Sequence, residues 1–166
     1  DDAYPVMPSM RLDGKRALVA GAGRGIGAAC ALALAQAGAT VTLVARTAQE
    51  LVLVSDTIAR RGGSSDMQVL DVTQSAAVTR FVDQAGPFDI LVNSAGTNRP
   101  ALITDTPDED LDAVFTLNVK AAFYLAREVA RGLMAARRGG SIITISSQMG
   151  HVGGPRRTLY CATKHA

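Results

Sequence analysis

The sequence predicts an α/β fold in which helices cover both faces of a doubly wound parallel sheet. Five short runs rich in aliphatic and β-branched residues alternate with longer segments whose apolar residues recur at helical spacing. Each short run is nearly continuously apolar, which is typical of parallel strands that are buried on both faces. Strand, helix and strand repeated in this order indicate right-handed βαβ units.

The strands are predicted at residues 16–20, 40–45, 67–71, 89–93 and 141–147. Between the first two strands, Ile26, Ala33 and Ala37 belong to one helical pattern, and Gly38 is expected to close that helix. The predicted unit is a single domain over residues 11–166. Residues 1–10 are interpreted as a tag remnant or a disordered arm.

Two capping boxes are predicted to begin the helices that follow the second and fourth strands. Thr47 and Glu50 form the first box, and Thr106 and Glu109 form the second, with Pro107 at the first helical position. The helix that begins at the second box is expected to be long and to run past residue 118 to about residue 137.

Composition excludes several classes of function. A net charge of +2 and few aromatic residues disfavour a nucleic-acid-binding surface. The longest apolar stretch, residues 26–44, is interrupted by polar residues, so no membrane span is predicted. No secretory signal is recognisable, and we expect a cytoplasmic protein. Cys30 and Cys161 are expected to be reduced thiols, and the two histidines predict no metal site.

A glycine-rich loop directly follows the first predicted strand and opens the first helix. Its backbone must turn sharply and approach a ligand without a Cβ in the way, while the helix N-terminus offers free N–H groups to a phosphate. The loop follows a predicted strand and precedes a predicted helix. This context makes such a loop a signature of dinucleotide binding in Rossmann-like folds. The loop residues predicted to bind the cofactor are Gly21, Gly23, Arg24, Gly25, Ile26 and Gly27.

The second strand predicts which dinucleotide binds. An acidic residue at its end commonly accepts the ribose hydroxyls of NAD, but this strand ends in Ala45 and Arg46. Arg46 and Arg24 would instead attract the 2′-phosphate of NADP(H) through charge-assisted hydrogen bonds. The alternative is that both arginines are solvated surface charges.

Tyr160 and Lys164 are four residues apart, which places them on one face of a helix. Tyrosine is ordinarily a poor acid or base at neutral pH, and a nearby ammonium favours its phenolate. Ser147 is predicted to end the fifth strand, at the sheet edge where ligands bind, thirteen positions before Tyr160. Asn118 lies within a predicted long helix, where it disfavours regular geometry.

In the order and spacing of these motifs the chain resembles the short-chain dehydrogenase/reductase family over about residues 11–166. The glycine loop of that family has the form found here, and its adenine contact matches Asp71, with Val72 beside it. Asp71 could instead cap the helix that follows. Asn93, Ala95 and Gly96 would line the cofactor, and Ser94 stands where the family usually has a second asparagine.

The resemblance implies an NADP(H)-dependent oxidoreductase acting on a carbonyl or secondary alcohol. Tyr160 would exchange a proton with the substrate oxygen, and Lys164 would support Tyr160 and hold the ribose hydroxyls of the nicotinamide. Ser147 would hydrogen-bond the substrate oxygen, and Asn118 would order a water that relays protons to Lys164. Ser146 is the rival to Ser147. A homotetramer or dimer is also implied by the resemblance.

Substrate identity is left open. Arg99 could meet a carboxylate, which would suit a sugar-acid dehydrogenase, although a solvated loop arginine is the simpler reading; a 3-oxoacyl-carrier-protein reductase is the other branch that fits. A non-catalytic NADP(H) sensor and a methyltransferase are alternatives of other classes, but neither would need the Tyr160 and Lys164 pair. Family members continue past this helix, so we hypothesise that the native chain is longer and that the last strands of the sheet follow Ala166.

Overall fold

A computed structural model describes residues 9–166. Of the arm predicted over residues 1–10, only Ser9 and Met10 belong to this part, and the rest lies outside the described residues. The strands are β1 (Arg16–Ala20), β2 (Thr40–Ala45), β3 (Ser64–Val69), β4 (Ile90–Asn93) and β5 (Ser141–Thr144). The helices are α1 (Gly25–Gln36), α2 (Ala48–Arg60), α3 (Ser75–Ala85), α4 (Asp108–Phe115), α5 (Ala121–Ala135) and α6 (Thr158–His165).

The predicted doubly wound sheet is confirmed. All strand pairs are parallel, and the strand order is β3-β2-β1-β4-β5. Side chains alternate between the two faces of β1: Ala17 and Val19 pack in one apolar core, and Leu18 and Ala20 in the other. Helices α1 and α2 complete the first core, and α3 and α5 complete the second. Strands β1 to β3 are added toward one edge of the sheet, and β4 and β5 are added toward the other. Folds of this kind bind ligands at this switch point, between β1 and β4.

Two predicted strands are corrected. The third strand is Ser64–Val69 rather than 67–71, because its register with β2 pairs Thr40 with Ser64 and Ala45 with Val69. The fifth strand ends at Thr144 rather than at residue 147, because its pairing with β4 ends at Thr144. Among the described residues both lie at a sheet edge and have largely exposed side chains, so the burial on both faces that was expected of every strand is not observed for them.

The predicted start of α2 is confirmed, but the predicted capping of α2 and α4 is corrected. Helix α2 begins after Thr47, but no side chain caps it, and α4 begins after Pro107, which takes the N-cap position itself. The Thr106 hydroxyl donates a hydrogen bond to the Leu102 carbonyl at 2.8 Å instead of capping the helix. Neither capping box therefore forms. The expected end of the first helix is confirmed, since Gly38 follows it with a φ of +106°.

The long helix predicted around Asn118 is not continuous. A π-helical turn, Thr116–Lys120, separates α4 from α5. Such a turn widens the helix by one residue and commonly occurs at functional sites. It is consistent with the expectation that an asparagine here disfavours regular helix.

Among the described residues, none of the helices combines the length and apolar character needed to cross a bilayer.

Candidate active site

The turns after β1 and β4 pack directly against each other at the point where the strand order reverses. Gly21 has a φ of +75°, and a Cβ on it would lie 2.7 Å from the Ala95 nitrogen. Both the backbone conformation and this close approach therefore require glycine. On the β4 side, the Asn93 side chain accepts a hydrogen bond from the Ala95 N–H at 3.2 Å, which fixes the turn. The two turns together form the floor of a cleft.

This glycine-loop cleft has a volume of about 420 Å³. Most of the residues predicted to bind a cofactor line it, namely Gly21, Gly23, Arg24, Gly25, Ile26, Arg46, Asp71, Val72, Ala95 and Gly96. Ser94, which stands where the family usually has a second asparagine, also lines it, and sequence reasoning missed further lining residues, namely Val44, Ala45, Thr47, Glu50, Leu70 and Leu117. Most of these are chain neighbours of predicted residues. Glu50 is different, since it had been assigned to a capping box.

Gly27 and Gly23 are required for different reasons. A Cβ on Gly27 would overlap the carbonyl oxygen of Gly21, so this glycine allows α1 to pack closely on the turn after β1. A Cβ on Gly23 would lie 2.9 Å from the Cβ of Glu50, so Gly23 makes room for a side chain of α2. Gly27 is not among the residues that line the cleft. Its contribution is to the shape of the loop.

The arginines predicted to bind a 2′-phosphate both lie at the cleft, next to carboxylates. The Arg24 Nε atom is 3.8 Å from the Glu50 carboxylate, and the Arg24 side chain is 88% exposed. Burial raises the pKa of Asp71, but hydrogen bonds from Thr73 and the charge of Arg46 outweigh it, so the pKa of this carboxyl lies below its usual value. Asp71 is therefore held as a carboxylate beside Arg46.

Asp71 does not cap α3. Its Oδ1 atom accepts hydrogen bonds from the Thr73 N–H at 3.0 Å and from the Thr73 hydroxyl at 2.8 Å. Helix α3 begins two residues later, after Gln74, without a side-chain cap. The carboxylate thus orders the turn between β3 and α3 and leaves its other oxygen beside the cleft.

Asn118 is a junction between three segments. Its buried side chain accepts a hydrogen bond from the Thr97 N–H at 2.8 Å and donates to the Thr97 carbonyl at 2.9 Å. The same amide donates to the Thr163 hydroxyl at 2.9 Å, and that hydroxyl donates to the Tyr160 carbonyl at 3.0 Å. Asn118 therefore ties the loop after β4 to α6. Sequence reasoning missed Thr163, although its position one residue before Lys164 could have indicated it.

Lys164 and Tyr160 lie together, as their spacing on α6 predicts. The Lys164 Nζ atom is 5.7 Å from the centre of the Tyr160 ring and donates a hydrogen bond to the Ile145 carbonyl at 2.7 Å. Partial burial lowers the pKa of Lys164 below its ordinary value. A Cβ on Gly96 would be 3.8 Å from Nζ, so this ammonium adjoins the cleft. An ammonium carries three N–H donors, and two remain for a ligand.

Ser147 lies beyond β5 rather than at its end, where it precedes a short 3₁₀ turn. Its hydroxyl oxygen accepts a hydrogen bond from the Met149 N–H at 3.2 Å. A serine that accepts in this way still has its own proton to donate. The rival Ser146 donates its proton to the Lys164 carbonyl at 3.2 Å. Of the two hydroxyls, Ser147 is the one with a donor left for a ligand.

The cleft fits a dinucleotide. The glycine loop leaves no Cβ between the N-terminus of α1 and a phosphate, and the Lys164 ammonium adjoins the opposite part of the same cleft at Gly96. Within residues 9–166, no group of three or more His, Cys, Asp and Glu side chains could hold a metal ion. Cys30 and Cys161 are both free and partly buried, as expected.

Comparison with known proteins agrees with this geometry. A family model described as short chain dehydrogenase matches residues 15–166. The chain belongs to the short-chain dehydrogenase family. This confirms the family resemblance and, together with the parallel sheet, the Rossmann-like fold.

Three similar short-chain dehydrogenases illustrate the range of the family. Sorbitol dehydrogenase of Cereibacter sphaeroides is 40% identical over 161 residues, which cover 95% of this chain and 62% of that protein. A 3-oxoacyl-[acyl-carrier-protein] reductase of Thermotoga maritima is 38% identical over 159 residues, which cover 93% of this chain and 64% of the reductase. The crystal structure of a gluconate 5-dehydrogenase from Burkholderia cenocepacia, in complex with NADP and tartrate, has a TM-score of 0.86 and 36% identity.

The match to that crystal structure covers 95% of this chain and 63% of the other. The chain thus spans just under two thirds of the length of these short-chain dehydrogenases. What it contains is the glycine loop, the Asn118 junction and the Tyr160 and Lys164 pair.

Proposed function

We propose that this chain forms the cofactor-binding and catalytic part of an NADP(H)-dependent oxidoreductase that interconverts a carbonyl compound and a secondary alcohol. One observation carries the proposal: the Lys164 ammonium lies over the Tyr160 ring and beside Gly96, at the cleft that the glycine loop lines. A proton-transfer group and a dinucleotide site therefore adjoin. Residues 11–166 are proposed as one domain.

Bound NADP(H) would supply the hydride donor or acceptor. Tyr160 would donate a proton to the substrate oxygen during reduction and take it back during oxidation. Lys164 would favour the phenolate of Tyr160 through its charge. Its two remaining N–H donors would hold the nicotinamide ribose hydroxyls. Ser147 would donate its free proton to the substrate oxygen and so orient it.

Asn118 is proposed to order a water that passes protons to Lys164, in addition to its observed bonds. Its Oδ1 atom would be 3.3 Å from a Cβ on Gly96, close to the Lys164 ammonium. The position supports the proposal because Asn118 Oδ1 and Lys164 Nζ both lie beside Gly96, with Nζ 3.8 Å from the same Cβ position. Asn93, Ala95 and Gly96 would line the cofactor, and Asp71 would accept from the adenine amino group.

The substrate proposal covers two branches, a 3-oxoacyl-carrier-protein and a sugar acid. Arg99, which could have met a sugar-acid carboxylate, is paired with Asp110, so its charge is already compensated. This pairing favours the first branch.

Assembly as a homotetramer or dimer is proposed from the exposed apolar side chains of Leu111, Phe123 and Met134 on α4 and α5. A cytoplasmic location is proposed from the two free cysteines.

Initial rates test the proposal. The natural protein is assayed with NADPH and NADH on a panel of 3-oxoacyl thioesters, ketones and oxidised sugar acids, and with NADP⁺ on the corresponding alcohols. We expect NADPH-dependent turnover of at least one carbonyl class. Absence of turnover across the panel, together with no change in NADPH fluorescence on addition of protein, would contradict it.

A further inference from the structure

A carboxylate of α2 lies against the glycine loop. A Cβ on Gly23 would be 2.5 Å from the Glu50 Oε2 atom, so the acid group rests on the loop itself. Glu50 stands in the first turn of α2 but does not serve the helix as a capping-box partner. Its side chain is only 38% exposed and lines the cleft.

The same carboxylate is the neighbour of Arg24, at 3.8 Å from Nε. Arg46, the other arginine at this end of the cleft, has the Asp71 carboxylate beside it. Counting the arginines alone predicts a strongly cationic site for a 2′-phosphate. With both carboxylates included, this end of the cleft is close to electrically balanced.

Glu50 and a 2′-phosphate would compete for Arg24. Each is an anion that the Arg24 guanidinium can pair with, and they would also repel each other across the glycine loop. The 2′-hydroxyl of NADH carries no charge and meets neither effect. The Glu50 charge therefore lowers the affinity for NADPH more than the affinity for NADH.

We propose that Glu50 is a specificity-determining residue whose negative charge reduces the preference for NADP(H) over NAD(H). The inference rests on the proposed function, because it concerns the cofactor of that same cleft. Exposed ion pairs contribute little, so removal of the Glu50 charge should change the affinity ratio by about two- to fivefold. The unmodified site is then one that binds both dinucleotides, with NADPH favoured by a modest margin.

Dissociation constants for NADPH and NADH test this in the natural protein and in Glu50→Gln. We expect Glu50→Gln to tighten NADPH binding about two- to fivefold more than NADH binding at low salt, because both dinucleotides carry the pyrophosphate and only NADPH carries the 2′-phosphate. The gain should shrink as salt is added, since it is a charge effect near the surface. Asp56→Asn is the matched control: it removes an acidic group from the same helix at an exposed position outside the cleft.

The Arg24→Gln background separates competition from repulsion. There the Glu50→Gln gain for NADPH should be smaller, because no guanidinium remains to be shared. Glu50→Ala provides a second neutral variant should the amide disturb the loop, and NADH affinity reports an intact cleft in each protein. An unchanged or lowered NADPH preference in both neutral variants overturns the role of Glu50 and leaves the proposed function standing. A natural protein that binds neither dinucleotide overturns both.

Discussion

The glycine-loop end and the Asn118 end of the cleft are built in opposite ways. At the glycine loop, main chain meets main chain, and Gly21 and Gly27 are required because any side chain would collide with a backbone atom. At the other end, side chains connect segments that are distant in sequence, and one amide holds both Thr97 and Thr163. The first kind of site depends on the absence of side chains, and the second depends on specific polar groups.

This difference predicts different responses to mutation. Changes in the glycine loop should act through stability and cofactor binding together. A change to the Tyr160 side chain should separate chemistry from folding, because the observed contacts between segments are made by Asn118 and Lys164 and not by the Tyr160 hydroxyl.

Tyr160→Phe should lower kcat by about 10²–10⁴, the usual contribution of a general acid or base, while NADPH affinity and the melting temperature stay near wild type. The Tyr160 carbonyl, which accepts from Thr163, is unaffected by the change, so α6 keeps its anchor. Steady-state kinetics measures kcat, fluorescence titration measures the NADPH affinity, and thermal unfolding measures the melting temperature. Turnover close to that of the natural protein would remove Tyr160 from the mechanism.

Gly27→Ala should destabilise the fold by about 2–3 kcal/mol, because the new Cβ overlaps the Gly21 carbonyl and α1 must shift. Chemical denaturation measures the free energy of unfolding. Gly153→Ala is the control, since a Cβ on Gly153 meets nothing within 4 Å. Equal stability of the two variants would show that the loop tolerates a side chain and would contradict the requirement for glycine at residue 27.

Asn118→Ala should cost about 2 kcal/mol of stability, because the Thr97 amide and carbonyl lose their partner in a buried position. Asn98→Ala is matched in chemistry, but the buried Asn98 Oδ1 has no hydrogen-bond partner among the described residues. Its loss should therefore cost less. Thermal or denaturant unfolding of both variants makes the comparison, and a larger cost for Asn98→Ala would contradict the junction assigned to Asn118.

Lys164→Met should flatten the pH dependence of stability. Burial lowers the pKa of Lys164 in the folded state below 10.5, its ordinary value. Between these two pKa values the unfolded chain binds more protons than the folded one, so this lysine makes the free energy of unfolding rise with pH in that window. Denaturation midpoints measured toward pH 10.5 should rise less in Lys164→Met than in Lys15→Met, an exposed control. Equal slopes would contradict the shift.

The sequence predicted the glycine-loop end well because its signal is local. A strand, a run of glycines and a helix stand next to one another in the chain, and β1 and β2 have the predicted bounds. Edge strands were harder to delimit, since β3 and β5 are held by pairing on one side only and carry exposed residues. Their ends follow the register with a neighbour, which sequence alone does not contain.

At the other end, the sequence identified which residues matter but not how they are connected. The spacing of Tyr160 and Lys164 was sufficient to place them together on α6. The bond from Asn118 to Thr163 spans 45 positions, and the asparagine indicated an irregular helix there without specifying the π-helical turn or the bonding partner. Glu50 was misassigned for a related reason: a capping-box spacing was present, but the nearby loop offered its carboxylate a different neighbour.

A crystal structure of the natural protein with bound NADP⁺ tests directly whether the two ends of the cleft form one active site. We expect the pyrophosphate over the N-terminus of α1 and the nicotinamide ribose within about 3 Å of the Lys164 Nζ atom. The Tyr160 hydroxyl should face the same nicotinamide. A dinucleotide bound away from the glycine-loop cleft, or seated in it with Tyr160 and Lys164 turned from the nicotinamide, would contradict the claim that the two ends form one active site.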